Sequence, residues 1–545
     1  MNWNQKRSCG FLLALLVVFT LVLATTPLGF AAANIKNVIV FVTDGTTAFD
    51  FTLARWYKGS PLTLDGILVG AVRMHSADSI SSDSAPAATA YATGFKSNDK
   101  LIAVYPKVID VPLPVAVAEE DVYKPLATVL EGAKLLGKST GLVATSNIQH
   151  ATPAAFSSHW FDRNNYTELA EQQVYQGIDV VLGGGKQYLI PTALGGKRED
   201  GANLIEELKR NGYDFVEDTT AMKNSKSAKL WGMFAPDAMA YDIDRDPAKE
   251  PSLAEMTQKA LEILSQNKKG FFLFVEGSKV DWAAHANDPS GVVSDLLAFD
   301  RAVQVGLDFA KQNKDTLLIA VPDHGTGGMA IGSAETSKTY PTLKPGRIID
   351  PLKKAKLTGE GLEKKLNADK SNIQEVMAGF YGISDLSAEE LEAIKNAKPG
   401  TLNGVVGPML SKRSGIAWTT TGHTAEDVFL FSYGPEKPSG LIDNTEVAKF
   451  IAKEMGVDLP ELNAKLFVRA KDKFGALGAA LTIDNSDSKN PVVVVTKGKV
   501  KAELPASTNI IIINGKMTSL KGLTIISNGT VYLPQEAVDL FAKAS

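Results

Sequence analysis

Cysteine is almost missing from this chain. Its 545 residues hold one, Cys9, and that one falls in an apolar N-terminal leader. A protein that matures without cysteine has no disulfides, no thiol nucleophile and no thiolate ligand for zinc. Histidine is scarce too: there are six, few enough to ask what each one does. Neither sign of charge is in excess, with 57 Lys+Arg against 61 Asp+Glu. That balance excludes a nucleic-acid partner held by bulk positive charge. The composition, 44% hydrophobic and 22% charged, also excludes a chain that is disordered, collagenous or coiled-coil throughout.

The leader has a definite grammar. Lys6 and Arg7 precede the apolar run Phe11 to Ala24, and Pro27, Gly29 and Ala31-Ala32-Ala33 follow it. That is the order of a secretory signal peptide, expected over residues 1–33, and it sends the protein to the periplasm, the extracellular space or the cell surface. An uncleaved anchor is the alternative, since Ser8 to Ala33 carry no charge. Cys9 stands before the apolar run, which argues against a lipoprotein site. Cleavage after Ala33 would remove it and leave oxygen and nitrogen as ligand atoms.

At about 100–200 residues per domain, the length allows two to four domains or one large α/β unit with additions. Short apolar runs read as buried strands: Val38 to Val42, Ile178 to Leu182, Phe271 to Val275, Leu317 to Val321 and Val428 to Phe431. Helical stretches such as Leu253 to Gln266 and Ser294 to Asn313 lie between them. The alternation predicts an α/β three-layer sandwich with a mostly parallel central sheet flanked by helices. Residues 330–417, rich in Lys, Glu and Leu, read as an inserted helical or irregular segment, with helices near Asn372 to Tyr381 and Ser387 to Asn396. Residues 34–470 are then the interrupted catalytic unit. Residues 471–545 read as a small β-rich C-terminal domain, with strands at Val492 to Thr496, Ile510 to Ile513, Leu523 to Ile526 and Val531 to Leu533. Gly-Lys and Asn-Gly turns separate them, and a helix from Pro534 to Ala542 closes the unit. Glu461 to Lys473 is expected to be the linker.

Sites in open α/β sheets form beyond the carboxyl ends of the strands. Asp44 follows the first run, Glu276, Asp281 and His285 follow another, and Asp323-His324 follow a third. Carboxylates gathered at one sheet edge repel unless a cation joins them. Asp281 and His285 are i and i+4, on one face of a helix turn. Imidazole with carboxylate and no thiolate suits catalytic zinc, and His423 is a further candidate. Ser84, in Asp83-Ser84-Ala85-Pro86, stands at the start of an Ala-rich helix, where free N–H groups favour an anion. A plain N-cap serine is the bland reading; a metal-held alkoxide is the functional one.

These elements occur in an order that resembles the alkaline phosphatase family. The resemblance rests on Asp44-Gly45, Asp83-Ser84-Ala85, Gln149-His150-Ala151-Thr152-Pro153, His159 with Arg163 four residues on, Leu182-Gly183-Gly184-Gly185, Glu276 to His285, Asp323-His324 and Gly422-His423-Thr424. It covers about residues 35–330 and 415–457. It implies three metal positions: one zinc on Asp281, His285 and His423, a second on Asp44, Asp323 and His324, and a magnesium on Asp44, Thr152 and Glu276. It also implies Ser84 as the nucleophile and Arg163 as the phosphate clamp, with His150, Trp282 and His159 in the surrounding shell. The best-known bacterial form has Asp and Lys where this chain has His150 and Trp282, so zinc or cobalt rivals magnesium at the third position. His75 has no assigned role. The implied activity is hydrolysis of small phosphate monoesters with broad specificity through a phosphoserine, with diester hydrolysis as the runner-up. A homodimer is a family expectation, and association with the cell envelope is a further one. The C-terminal segment raises the rival of a secreted binding protein with a dead core, through a weak resemblance to copper-amine-oxidase N-terminal-like domains. The complete ligand set argues against that rival.

Overall fold

The computed structural model describes residues 35–545, so the leader reading over residues 1–33 lies outside it. The core is a ten-stranded sheet. In chain order its strands are β1 (Asn37–Thr43), β2 (Leu68–Arg73), β3 (Ser139–Asn147), β4 (Val180–Gly184), β5 (Asp214–Val216), β6 (Leu230–Met233), β7 (Phe271–Gly277) and β8 (Thr316–Pro322), then Val428–Tyr433 and Gly440–Asp443. Across the sheet, β8, β1, β7, β3, β4, β6 and β5 lie side by side. Val428–Tyr433 pairs antiparallel with both β8 and β2, and every other pairing is parallel.

The reason for the sheet is visible along β1, β7 and β8, which are buried at every position. Side chains alternate between faces with period two. Val38, Val40, Val42, Phe272, Phe274, Leu317 and Ile319 therefore enter one core, while Ile39, Phe41, Phe271, Leu273, Val275 and Leu318 enter the other. Tyr91, Val129, Leu130, Val174 and Ile451 bring helices onto the first face. Phe51, Met256, Ala260, Phe299 and Val303 cover the second. Each large apolar side chain so enclosed contributes roughly 1.5–3 kcal/mol against remaining in water.

The insertion carries a core of its own, built on Ile348, Leu352, Leu362, Tyr381, Val406 and Leu410 from four helical segments. Two small ribbons close its neck. Met329–Ile331 pairs with Ile416–Trp418, and Gly325–Thr326 pairs with His423–Thr424. The second ribbon returns His423 to the end of β8 after a long excursion.

The C-terminal β-rich region holds a five-stranded antiparallel meander, 480–484 through 516–519, and a three-stranded sheet. Its turns at Asn514-Gly515 and Asn528-Gly529 place both residues at positive φ, the geometry that matches strand twist in a two-residue hairpin. Three of its strands, Ala480–Asp484, Val500–Pro505 and Lys516–Ser519, escaped the reading of the sequence. The stretch expected to be the linker is largely helical. Leu459–Leu466 and Ala470–Ala476 are helices, and Val468–Arg469 between them pairs with Thr530–Leu533. The reason is burial: Leu462, Leu466 and Phe467 pack into the main core. Among the described residues no helix is long and apolar enough to cross a membrane.

Candidate active site and metal centre

The site lies at the carboxyl ends of β1, β7 and β8. The parallel register sets Thr43 beside both Gly277 and Pro322, so Asp44, Glu276 and Asp323 emerge together and fully buried. Gly45 fits between two of the acids. Its N–H donates to Asp323 Oδ1 at 3.0 Å, and its φ is +66°. A Cβ there would stand 2.4 Å from Asp281 Oδ1.

Helix Lys279–His285 presents Asp281 and His285 from one face, with His285 Nε2 3.3 Å from Asp281 Oδ2. His423 Nε2 lies 3.1 Å from His285 Nε2 and 3.7 Å from Asp281 Oδ1. His324 Nε2 lies 3.5 Å from both Asp44 Oδ1 and Asp323 Oδ2. Its ring stacks on His423 at 3.8 Å, so the two donor groups abut.

The backbone fixes what these rings can do. His285 Nδ1 faces the Thr421 carbonyl at 2.5 Å, His423 Nδ1 the Ser82 carbonyl at 3.0 Å, and His324 Nδ1 the Gly325 carbonyl at 3.3 Å. A carbonyl only accepts, so each Nδ1 carries a proton and donates it. Burial pushes His324 and His423 below the usual imidazole range, so their Nε2 atoms turn lone pairs inward, the outer-shell arrangement of metal-binding histidines. Burial opposes charge on the His285 ring, but the Asp281 carboxylate holds it up at about 9, so its Nε2 carries a proton between Asp281 and the His423 lone pair, the place a metal ion would take.

The acids agree. Asp44 Oδ2, Asp323 Oδ2 and Glu276 Oε1 are buried without a hydrogen-bond partner, as are Thr152 Oγ1 and His150 Nδ1. Burial first, then mutual repulsion, pushes the carboxyls of Asp44, Asp323 and Glu276 above their usual range. Burial works the same way on Asp281, but the His285 contact overrides it and holds that carboxyl low. The donors therefore fit divalent metal in three groups. Asp281 and His423 group with His324 as well as with His285; Asp44, Asp323 and His324 form the second; Asp44, His150 and Glu276 form the third. Thr152 lies beside Glu276.

Ser84 opens helix Ser84–Thr93, whose N-cap is Asp83. Its Oγ is 3.2 Å from His324 Nε2 and 3.5 Å from Asp44 Oδ1. Arg163 reaches over the same helix start. One of its terminal nitrogens donates to Asp83 Oδ2 at 2.6 Å and the other to His150 Nε2 at 2.9 Å. Burial and then the Arg163 charge push His150 down to about 3, so it accepts as a neutral ring. Burial opposes ionisation of Asp83, but Arg163 and the nearby histidines hold its carboxyl at about 2. The adjacent Asp162 binds the Asn164 backbone and side chain instead.

Two expectations change. His150 joins the third donor group itself rather than standing behind it, with Trp282 edge-on to it at 5.8 Å. His159 does not join the donor groups. Its ring bonds Glu131 Oε1 and the Ala103 carbonyl, each at 3.1 Å, behind the loop that carries Arg163. The buried carboxylate captures it there. His75 pairs with Asp443 at 3.5 Å, which ties two strand ends together. Gly45, Asp83 and Thr326, whose hydroxyl donates to Asp281 Oδ1 at 2.6 Å, had no role assigned from sequence. Only the short spacing of Asp83 to Ser84 hinted at one.

A buried serine hydroxyl, paired metal-donor groups and an arginine fork on one helix start can displace an oxygen at phosphorus. Residues 35–457 match the family described as alkaline phosphatase, and residues 450–543 match the copper amine oxidase N-terminal domain. Alkaline phosphatase 4 of Bacillus subtilis is 38% identical over 444 residues, covering 77% of this chain and 89% of that protein. The repressible alkaline phosphatase of Saccharomyces cerevisiae is 34% identical over 485 residues, covering 78% and 82%. The crystal structure of the Thermus thermophilus alkaline phosphatase covers 80% of this chain and 95% of its own, with a TM-score of 0.68 and 29% identity. The chain belongs to the alkaline phosphatase family and is a phosphomonoesterase.

Proposed function

We propose that this chain is an exported alkaline phosphatase that works through a phosphoserine on Ser84, with two zinc ions and a third metal. The observation that carries the reading is the convergence of the Nε2 atoms of His285, His324 and His423 on orphaned carboxylate oxygens beside the Ser84 hydroxyl. Asp281, His285 and His423 would hold one zinc, and Asp44, Asp323 and His324 the other. Bound there, the metals would lower the pKa of the serine and of water and neutralise the departing alkoxide.

The chain's own groups supply the rest. Arg163 offers two parallel donors to phosphate oxygens, and Asp83 keeps the fork aimed at the helix start. Ser84 Oγ forms the bond to phosphorus as the ester bond to the alcohol breaks; water then displaces Ser84 and releases phosphate. Two in-line displacements retain configuration. Recognition centres on the phosphoryl group, which supports broad specificity among alcohols.

At the third position Asp44, Glu276 and Thr152 are oxygen donors suited to magnesium, while His150 adds an imidazole that favours zinc or cobalt. Export is supported by the basic, apolar and small-residue order of residues 1–33. The test is one assay of aryl phosphate monoester and diester hydrolysis, before and after chelation, on wild type and Ser84→Ala. Monoester preference, loss on chelation and at least a thousandfold loss in the variant are expected. Full turnover by Ser84→Ala would defeat the mechanism.

A further inference from the structure

The C-terminal β-rich region lies outside the alkaline phosphatase match, yet its contacts lead to Arg163. Three irregular stretches lie side by side there. Trp160 exchanges both backbone hydrogen bonds with Ile102 at 2.9 Å, and the Arg163 N–H donates to the Lys100 carbonyl at 2.8 Å. On the other side of that middle stretch, Tyr105 and Ala103 bond to the backbone of Tyr123, Lys124 and Leu126. The Arg163 loop is thus one edge of a narrow ladder, and Tyr123 to Leu126 is the other.

The C-terminal region grips the outer edge. Ser527 Oγ donates to the Tyr123 carbonyl at 2.7 Å. Arg469 donates to the Glu120 carbonyl. Asn463, on the helix leading into the region, accepts from the Ala127 N–H at 2.7 Å. Tyr123 needs such a hold, because its φ is +59°, a conformation a non-glycine residue reaches only at a cost. The Tyr123 ring also lies 6.2 Å from Phe161, two residues before Arg163.

A second contact arrives from the opposite direction. Phe467, at the foot of the C-terminal region, packs edge-on against the His159 ring at 4.7 Å. His159 is fully buried and fixed by Glu131, Ala103 and Gln172. It is the residue from which the Arg163 loop departs.

We propose that the C-terminal region positions Arg163 for phosphate, with Ser527 and Phe467 as its positioning residues. The proposal rests on the reading of Arg163 as the phosphate clamp. Neither residue touches substrate; each holds the ladder that sets the height of the guanidinium above Ser84. Loosening either should weaken phosphate binding while the chemistry at Ser84 continues.

The experiment uses the full-length protein with its metals. Wild type, Ser527→Ala, Phe467→Leu, Phe467→Tyr and Arg163→Ala are compared for kcat, for KM on an aryl phosphate and for inhibition by inorganic phosphate. Ser527→Ala and Phe467→Leu should each raise KM and the phosphate inhibition constant together by three- to tenfold, with kcat changed less than twofold. Phe467→Tyr, which keeps the ring, should restore values near wild type. Combined with Arg163→Ala, neither variant should weaken phosphate binding further, because residues acting through one group are not additive. A purely structural role predicts additive losses and a fall in kcat, and that result would overturn the proposal. So would an unchanged phosphate inhibition constant in soluble, folded Ser527→Ala. If Arg163→Ala itself binds phosphate normally, the clamp reading fails instead, and the two failures are told apart.

Discussion

Gly45 is where the site leaves no room for a side chain between two of its acids, and Gly45→Ala is the perturbation that tests it. The added Cβ would stand 2.4 Å from Asp281 Oδ1 and 2.6 Å from Asp281 Cα. Non-bonded carbon and oxygen settle at about 3.4 Å or beyond, so one side must retreat by about 1 Å. Backbone strain adds to this, since φ is +66° and a side chain in that left-handed region costs about 1–2 kcal/mol. Two relaxations are open. Asp281 can back away, which moves a metal-donor oxygen away from His285 and His423. Alternatively the loop can lift, which breaks the Gly45 N–H bond to Asp323 Oδ1 at 3.0 Å. Either one disturbs a donor group, and a misplacement of about 1 Å at a catalytic constellation can cost a hundredfold. The expected result is a folded protein with a far-ultraviolet spectrum like wild type, reduced zinc content after dialysis and kcat/KM down by about two orders of magnitude. A Gly45→Ala protein with full zinc content and activity within twofold of wild type would refute this account of the loop.

Other outcomes follow from buried pairs and from the donor groups. Glu131 accepts from the Thr128 N–H at 2.9 Å, from Gln176 at 2.9 Å and from His159 at 3.1 Å, so Glu131→Gln should cost about 3–5 kcal/mol in urea unfolding. Burial alone would raise its carboxyl, but His159 holds it below the usual range. Its contribution is therefore complete above the unfolded pKa near 4.3 and lost as pH falls through the folded value. The variant should lack that acid-limb component. Lys279 lies over the rings of Tyr241 at 4.0 Å and Trp282 at 4.8 Å and pairs with Glu360 from the insertion at 3.2 Å. Lys279→Met should shift tryptophan emission and weaken the seat of the insertion by about 1–3 kcal/mol; an unchanged spectrum would contradict that contact. Chelation should lower the unfolding temperature and added zinc should restore it, since ligand at a thousand times its Kd stabilises by about 4 kcal/mol.

Much of this was legible in the chain because the relevant periods are short. Val38 to Val42, Phe271 to Val275 and Leu317 to Val321 are continuous apolar runs, as strands covered on both faces must be. Asp281 with His285 and Asp323 with His324 are close in sequence as well as in space. What escaped depends on distance along the chain. His423 is a candidate from its motif, but its meeting with His324 is not visible in any spacing, because it depends on the Gly325–Thr326 and His423–Thr424 ribbon closing beneath the insertion. Asp83 meets Arg163 across 80 residues, and no local spacing distinguishes it from the neighbouring Asp162. His159 went astray for the same reason, since its carboxylate partner lies on a distant helix. In the stretch expected to be the linker, Leu462, Leu466 and Phe467 pack while Glu461, Lys465 and Lys473 face solvent, a division that the linker reading does not include. Lys516–Ser519 is exposed at every position and offers little apolar signal, and Ala480–Asp484 offers only Leu481 and Ile483, half-buried on one face.

The central claim is that Ser84 takes the phosphoryl group in a metal-organised site. Rapid acid quenching during turnover of a labelled phosphate monoester, followed by peptide mapping, tests it directly. The account predicts up to one phosphate per chain, on Ser84, abolished by chelation and absent from Ser84→Ala. A label on another residue, or turnover with no label on Ser84 under any quench condition, would contradict it.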